Sequence, residues 1–166
     1  MSIELAKAYL KQFGRDKDVL EFAESSATVE LAARAVGVIP ARIAKTLSFL
    51  LKDGTCVLIL AAGDAKIDNA KYKQQFATKA KMLTPEEVVS YTGHEIGGVC
   101  PFGADRTRVR VYLDESLRRF HTVFPAAGSG NSAIAFSPDE LFSVSQADAW
   151  IDVCKGWQEN EDLSAR

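Results

Sequence analysis

Cysteine and histidine are scarce in this chain of 166 residues. The three cysteines, Cys56, Cys100 and Cys154, are odd in number, widely spaced and without a CxxC pair, which argues against a disulfide framework and against a structural zinc site. His121 has no second histidine or carboxylate at metal-binding spacing. We therefore expect a protein of a reducing compartment that needs no metal and no other cofactor.

The chain also has little net charge and no long apolar run. Its formal charge is -2 and its pI about 5.7, so it lacks the global positive field that drives tight, sequence-independent binding to long nucleic acid. No stretch approaches the roughly 20 apolar residues of a membrane span, and the N-terminus has no apolar signal core. These absences predict a cytoplasmic protein with no membrane partner, and they require any contact with RNA to be local.

Signatures of nucleotide-binding folds are missing as well. There is no GxGxxG and no P-loop, and strands and helices follow each other without regular βα alternation, which argues against a doubly wound fold. A content of 47% hydrophobic and 25% charged residues is typical of one compact domain. We expect a single mixed α/β domain over residues 1–157 and a polar tail over residues 158–166.

Local patterns give the order of the elements. Apolar spacing and capping residues predict helices over residues 3–13, 28–36, 68–76 and 85–91, a helical segment over 114–120 and a last helix from Ser137. Alternation and apolar runs predict strands over residues 19–22, 43–51, 55–62, 108–113, 122–127, 132–136 and 150–153. The strands on either side of Lys52-Asp53-Gly54 should form a central hairpin.

Lys45 is the most informative residue of this hairpin. Period-two alternation places it on the same strand face as Ile43, Leu47 and Phe49, and places Thr46 on the other face. The ordinary interpretation is a lysine that extends its ammonium to water from the end of a strand. The functional interpretation is a cation at the mouth of a pocket, where it binds a phosphate or a developing oxyanion.

A glycine-rich loop follows, from Gly93 to Gly103. It holds four glycines and Pro101 within eleven residues, so it is either a tight connection or a cradle of backbone N–H groups for a carbonyl or phosphate. Within it, Cys100 and His94 could also form a thiol nucleophile and its base. That interpretation is weak, because cysteine is a common packing residue and the spacing matches no recognisable nucleophile context.

A second glycine turn and two groups of basic residues complete the candidates. Gly128-Ser129-Gly130-Asn131 is an ordinary turn by itself, but Ser129 or Asn131 could donate to a ligand if the turn adjoins the first loop. Asp114 is either a helix cap or a catalytic carboxylate. The basic residues are either RNA contacts or solvated surface; they are Lys66, Lys71, Lys73, Lys79 and Lys81, and Arg106, Arg108 and Arg110 on one strand face.

Four segments carry a family resemblance when they are taken in order. They are Ile43-Ala44-Lys45-Thr46-Leu47; Ala61-Ala62-Gly63-Asp64; Thr92-Gly93-His94 running into Gly97-Gly98-Val99-Cys100-Pro101-Phe102-Gly103; and Asp114-Glu115-Ser116-Leu117 with Ala127-Gly128-Ser129. This ordered set resembles the YbaK family of prolyl-tRNA editing-domain proteins over roughly residues 20 to 153.

The resemblance implies a mixed β-sheet, partly closed like a barrel and flanked by helices. It also implies hydrolysis in trans of the ester of a mischarged aminoacyl-tRNA, without a metal or a covalent intermediate. The essential lysine of the family maps onto Lys45 and its GxxxP loop onto Gly97 through Pro101. In this mechanism water attacks the carbonyl, the terminal ribose hydroxyl assists the proton transfer, and lysine engages the terminal nucleotide.

The leading hypothesis is therefore an aminoacyl-tRNA deacylase for a small amino acid such as alanine, cysteine, serine or threonine on tRNA(Pro). Lys45, Gly97, Gly98 and Pro101 are its expected catalytic residues. The expected substrate contacts are Thr46, His94, Val99, Cys100, Gly128, Ser129 and Asn131. Its partners would be the acceptor end of tRNA and an aminoacyl-tRNA synthetase. The alternatives are a non-catalytic module that binds aminoacyl-tRNA or a synthetase, and a thiol hydrolase that uses Cys100.

Overall fold

The computed structural model describes residues 2–159. Five α-helices occupy this part of the chain: α1 (Ser2–Lys11), α2 (Val29–Val36), α3 (Asn69–Phe76), α4 (Pro85–Thr92) and α5 (Pro138–Val144). Side-chain oxygens of Thr28, Asp68, Thr84 and Ser137 accept the free N–H groups at the starts of the last four. All five helices follow the sequence predictions, because their caps and apolar spacing are local signals.

The central sheet has five strands in the order β6-β2-β3-β5-β8. Its members are β2 (Ile43–Leu50), β3 (Cys56–Ala62), β5 (Val109–Asp114), β6 (Phe124–Pro125) and β8 (Ala149–Ile151). Strands β2 and β3 form the antiparallel hairpin that the turn residues predict, whereas the other three pairings are parallel. The expectation of a mixed sheet flanked by helices is confirmed.

Two small two-stranded sheets complete the architecture. Strand β1 (Leu20–Glu21) pairs with β7 (Ser132–Ala133), and β4 (Lys66–Ile67) pairs with β9 (Cys154–Lys155), both antiparallel. The strands expected over residues 122–127 and 132–136 are much shorter in the structure, since each changes partner within a few residues. Strands β4 and β9 were not predicted, because two residues are too few for a periodic pattern.

The core surrounds β3, whose residues Cys56 to Ala62 are all fully buried. Burial on both faces explains why this strand is almost continuously apolar. A short 3-10 helix (Glu115–Arg119) follows β5, and the buried Asp114 caps it by accepting from Ser116 N at 2.9 Å. The other carboxylate oxygen accepts from Val153 N at 2.9 Å, so Asp114 has a structural role at the end of β5.

No helix among residues 2–159 is both long and apolar enough to cross a membrane. The same residues contain no group of three or more histidines, cysteines and carboxylates that could hold a metal ion. The tail expected over residues 158–166 lies almost entirely outside the described residues.

Candidate active site

The main pocket lies at an interruption in the outer edge of β2. On this edge Ile43 and Ala44 pair with β6, and further along Leu50 N donates to Lys81 O at 2.8 Å while Ser48 O accepts from Leu83 N at 3.3 Å. N–H and C=O groups of a strand in an antiparallel pair point outward at every second residue. Thr46 therefore directs both backbone groups toward this edge, where no strand among residues 2–159 pairs with it.

A cavity of about 260 Å³ opens at this interruption. Its walls come from β2, the start of α2, α4 with the segment before it, the first glycine loop and the β6–β7 region. Because the cavity is at the edge of the sheet, side chains from both faces of β2 reach it. Lys45 and Thr46 line it together although they point to opposite faces.

The ammonium of Lys45 is anchored at one end of the cavity. It donates a hydrogen bond to the carbonyl oxygen of Gly63 at 3.4 Å and a second to that of Ala65. Lysine has three N–H donors, so one remains for a ligand. Burial lowers the pKa of Lys45, and the negative charge of Asp64 partly offsets this effect. The two carbonyl oxygens accept from the ammonium and so stabilise its charged form.

An ion pair holds the turn that supplies these carbonyls. Arg119 contacts both carboxylate oxygens of Asp64, at 2.6 and 2.9 Å. Both side chains are largely buried, with 9% and 16% exposure, so the pair is better shielded from solvent than an ordinary surface salt bridge. The Arg119–Asp64 pair thereby fixes the Gly63–Ala65 turn, and through it the position of the Lys45 ammonium.

The first glycine loop forms the opposite wall of the cavity, through Ile96, Gly97 and Val99. Gly97 has a φ of 98°, a conformation that favours glycine. The Gly98 N–H donates to Glu95 O at 3.0 Å, whereas the N–H groups of Gly97 and Val99 have no acceptor within residues 2–159. The loop thus offers two free amide donors at residues that line the cavity.

The two glycine turns pack directly against each other. A Cβ atom on Gly98 would lie 2.5 Å from the Ser129 amide nitrogen, which leaves no space for any other residue there. Ser129 Oγ donates to Asn131 Oδ1 at 2.9 Å, and Asn131 Nδ2 donates to Phe22 O at 2.9 Å. Gly128, Ser129 and Asn131 do not line the cavity; their contacts support the first loop from behind.

The structure brings Cys100 and His94 together but buries both completely. The sulfur lies 3.5 Å from His94 Nε2, and that nitrogen is also 2.9 Å from Phe102 O. A carbonyl only accepts, so Nε2 carries the proton and cannot take one from the thiol. Burial raises the pKa of Cys100 to about 12 and lowers the pKa of His94. Neither residue lines the cavity, and the thiol mechanism finds no support in this geometry.

Pro101 is also buried and does not line the cavity. Its carbonyl accepts from Ala104 N at 3.4 Å, so it closes the turn after the loop. Of the expected site residues, Lys45, Thr46, Gly97 and Val99 line the cavity. Gly98 and Pro101 shape the loop behind it.

Sequence reasoning did not single out Ser26 as a site residue. Ser26 is 6% exposed and lines the cavity opposite β2. The hydroxyl groups of Ser26 and Thr46 are both buried without a hydrogen-bond partner in the described part of the chain. A buried hydroxyl without a partner costs free energy, so both hydroxyls are available to hydrogen-bond with a polar group that enters the cavity. A serine next to a helix start gave no signal that separated it from a cap.

The rim of the cavity is apolar and exposed. Met82 and Ile96 line its mouth with 64% and 66% of their surface accessible. Large exposed apolar side chains beside a cleft are typical of a surface that a ligand covers.

Of the three arginines expected on one strand face, only Arg110 lies on β5; Arg106 and Arg108 precede the strand and are already engaged with the protein. Arg106 donates to Asp148 at 3.0 Å and to the carbonyls of Ser145 and Gln146, and Arg108 donates to Ser90 O and lies over the Tyr91 ring. Lys71 donates to Asp152 at 3.0 Å. These contacts give Arg106, Arg108 and Lys71 structural roles. They leave fewer cations free to bind RNA than the sequence suggests.

Comparison with known proteins identifies the family. A model of the aminoacyl-tRNA editing domain matches residues 23–144, most of the chain and all of the cavity elements on β2, α4 and both glycine turns. The chain belongs to this family. The editing-domain protein is 56% identical over 158 residues to the uncharacterized protein YwhH of Bacillus subtilis (strain 168), which covers 95% of this chain and 100% of YwhH.

Proline–tRNA ligases contain a related segment. The ligase of Thermotoga neapolitana is 33% identical over 94 residues, which are 56% of this chain but only 16% of the ligase. A solved structure of a candidate trans-editing enzyme for prolyl tRNA synthetase has a TM-score of 0.83 at 32% identity, and the match covers 93% of this chain and 98% of that one. The predicted membership of a prolyl-tRNA editing family is confirmed. The roles of the individual residues remain predictions.

Proposed function

We propose that the protein is a deacylase that hydrolyses the ester of mischarged aminoacyl-tRNA in trans. The observation that carries this proposal is the cavity at the open edge of β2, which is lined by Lys45, by Gly97 and Val99 with their free amides, and by Thr46 with its unpaired backbone. The family supplies the reaction class, and these groups supply the means to bind an aminoacyl ester.

In this proposal the aminoacyl group occupies the interruption in the β2 edge, where a residue of a neighbouring strand would otherwise pair with Thr46. The outward C=O of Thr46 accepts from the α-amino group, and its N–H donates to the ester carbonyl before reaction, as in an added strand. Backbone recognition of this kind suits any amino acid. The Ser26 and Thr46 hydroxyls then hydrogen-bond to the remaining polar groups of the ligand.

Hydrolysis needs positioning more than a strong nucleophile, because the ester is already activated. Water attacks the carbonyl carbon, and the amides of Gly97 and Val99 stabilise the oxyanion that forms. The bond between the carbonyl carbon and the ribose oxygen then breaks. The attacking water gives up a proton with the help of the neighbouring ribose hydroxyl, and the ribose oxygen of the released tRNA takes this proton up. The third N–H of Lys45 binds a phosphate oxygen of the terminal nucleotide.

The size of the cavity supports a small amino acid. A volume of about 260 Å³ falls below the roughly 300–1,000 Å³ of pockets for drug-sized ligands. It accommodates a small aminoacyl group and part of the ribose but no bulky side chain in addition. Alanine, cysteine, serine and threonine on tRNA(Pro) are therefore the proposed substrates, and the reaction would take place in the cytoplasm, where a synthetase partner could deliver the tRNA.

A deacylation panel tests the proposal. Purified protein is incubated with tRNA(Pro) and with other tRNAs that carry labelled alanine, cysteine, serine or threonine, and loss of the ester is followed with time. We expect hydrolysis of at least one mischarged tRNA(Pro) well above the spontaneous rate, and none of correctly charged Pro-tRNA(Pro). Tight binding without turnover would instead support the non-catalytic module.

A further inference from the structure

Two lysines lie opposite each other beside the Lys45 end of the cavity. Strands β4 and β9 pair Lys66 directly with Lys155, and both residues are exposed. Directly opposite residues in an antiparallel pair have Cβ atoms about 4.5–5.5 Å apart, and like charges at this distance destabilise the pairing. The adjoining pair, Ile67 with Cys154, turns inward, so both ammonium groups are on the outer face.

The described part of the chain does not neutralise the charge of this pair. Within residues 2–159 neither ammonium makes an ion pair or a hydrogen bond. Within this range the carboxylates nearest to them in sequence are already occupied, since Asp64 pairs with Arg119, Asp152 pairs with Lys71, and Asp68 accepts from the N–H groups at the start of α3. Two cations that no described residue compensates, on a strand ladder of two residues, are a cost to folding and favour the binding of an anion there.

The position of the pair relative to the cavity identifies that anion. Ala65, whose carbonyl accepts from the Lys45 ammonium, is followed immediately by Lys66. Lys66 is near enough to contribute to the lowering of the Lys45 pKa. Lys45 on β2 and the two exposed lysines of β4 and β9 thus form one local group of cations.

We propose that Lys66 and Lys155 bind backbone phosphates of the single-stranded acceptor end of tRNA as it enters the cavity. This inference rests on the proposed function, which places the terminal nucleotide beside Lys45. A chain with a net charge of -2 has no general attraction for RNA, so its affinity must come from a local group of cations. The pair steers and holds the strand and does not touch the ester.

The test is the variant Lys66→Gln/Lys155→Gln against the charge-matched control Lys11→Gln/Lys52→Gln, whose lysines are exposed at the end of α1 and in the far turn of the hairpin. Deacylation kinetics are measured from about 50 to 200 mM salt. We expect KM to rise roughly 10-fold at low salt and kcat to remain unchanged. The slope of log(1/KM) against the logarithm of the salt concentration, here called the salt slope, should become less steep by about 1 to 2. The control should match the wild type.

Thermal unfolding gives an independent readout. Removing the like-charge pair should leave the melting temperature of the test variant equal to that of the wild type or raise it, so weaker substrate binding cannot result from loss of fold. A KM and salt slope equal to those of the control would overturn the inference, and so would a loss confined to kcat.

A binding arm separates this inference from the proposed function. Fluorescence anisotropy with a hairpin RNA that ends in an unacylated single-stranded CCA measures affinity without turnover. If the wild type binds this RNA and the double variant binds at least about 10-fold more weakly, the phosphate surface is upheld even where no aminoacyl-tRNA is hydrolysed. Equal binding by the two proteins, or no binding by the wild type, would refute it.

Discussion

Replacing Lys45 with methionine is the most informative perturbation of the cavity. Methionine keeps most of the length and apolar stem of lysine but removes the ammonium and its free N–H. A hydrogen bond to a charged group contributes about 1.5–3 kcal/mol, which corresponds to a loss of roughly 10- to 150-fold in kcat/KM. We expect the loss at every mischarged tRNA that the wild type hydrolyses, because in the proposed mechanism the ammonium engages the nucleotide and not the amino acid.

The hydrogen bonds of Lys45 also determine how much Lys45→Met should change the stability of the fold. The carbonyls of Gly63 and Ala65 lose their shared donor, at about 1 kcal/mol each in a half-buried site. Relief of the buried charge offsets part of this cost. The melting temperature should therefore fall by no more than roughly 8 °C, and the variant should remain folded at assay temperature.

Single-turnover deacylation is the assay, and Lys52→Met is its matched control. Lys52 is exposed in the turn at the far end of the same hairpin, so its loss removes an equal charge away from the cavity. If Lys45→Met retained kcat/KM within about threefold of the control, the electrostatic role argued for Lys45 would be refuted.

Five further variants, one of them a control, test the surrounding contacts. Thr46→Val removes a buried hydroxyl without a partner; we expect unchanged or higher thermal stability and a fall of about fivefold in kcat/KM, whereas equal kinetics would exclude a ligand contact. Cys100→Ala should keep wild-type kcat, and iodoacetamide at pH 8 should not inactivate the wild type. A pKa of about 12 leaves on the order of one Cys100 thiolate in 10⁴ at this pH. Rapid inactivation would contradict this. Gly98→Ala should destabilise the protein by about 1–3 kcal/mol through its clash with Ser129, and it should reduce deacylation. Its control is Gly130→Ala, where a Cβ would meet only Ala27 at 3.6 Å; this variant should change neither stability nor deacylation. Arg119→Gln breaks a largely buried ion pair and should cost about 3 kcal/mol in denaturant unfolding together with part of the activity; an unchanged midpoint would show that the turn at Ala65 does not depend on it.

Sequence reasoning predicted the helices because each start is specified by neighbouring residues. Thr84, Pro85 and Glu87 form a complete capping box in the structure, and their order alone predicts it. The hairpin of β2 and β3 was predictable for the same reason. Its turn and the change from alternating to continuous apolar residues are contained in one short segment.

The cavity could not be predicted in the same way, because it depends on contacts between distant segments. The interruption at Thr46 exists only because β6 stops at Pro125 and the segment at Met82 joins the edge further along. A Cys100–His94 pair was only a weak interpretation of the sequence, because its proximity and its burial both depend on packing from other elements. Lys155 gave no signal, since its partner Lys66 is far away in sequence.

The interruption in the β2 edge has a fixed length. From Ala44, the last residue paired with β6, to Ser48, where outward hydrogen bonding resumes, the strand covers about 13 Å at roughly 3.3 Å per residue. The two ends of this slot belong to separate segments that pair with β2 independently of each other. A shift of either segment by one pairing would lengthen or shorten the slot while Lys45 and the glycine loops stayed in place. If the aminoacyl group occupies this slot as proposed, substitutions in either segment that never contact the substrate change the space that it is offered.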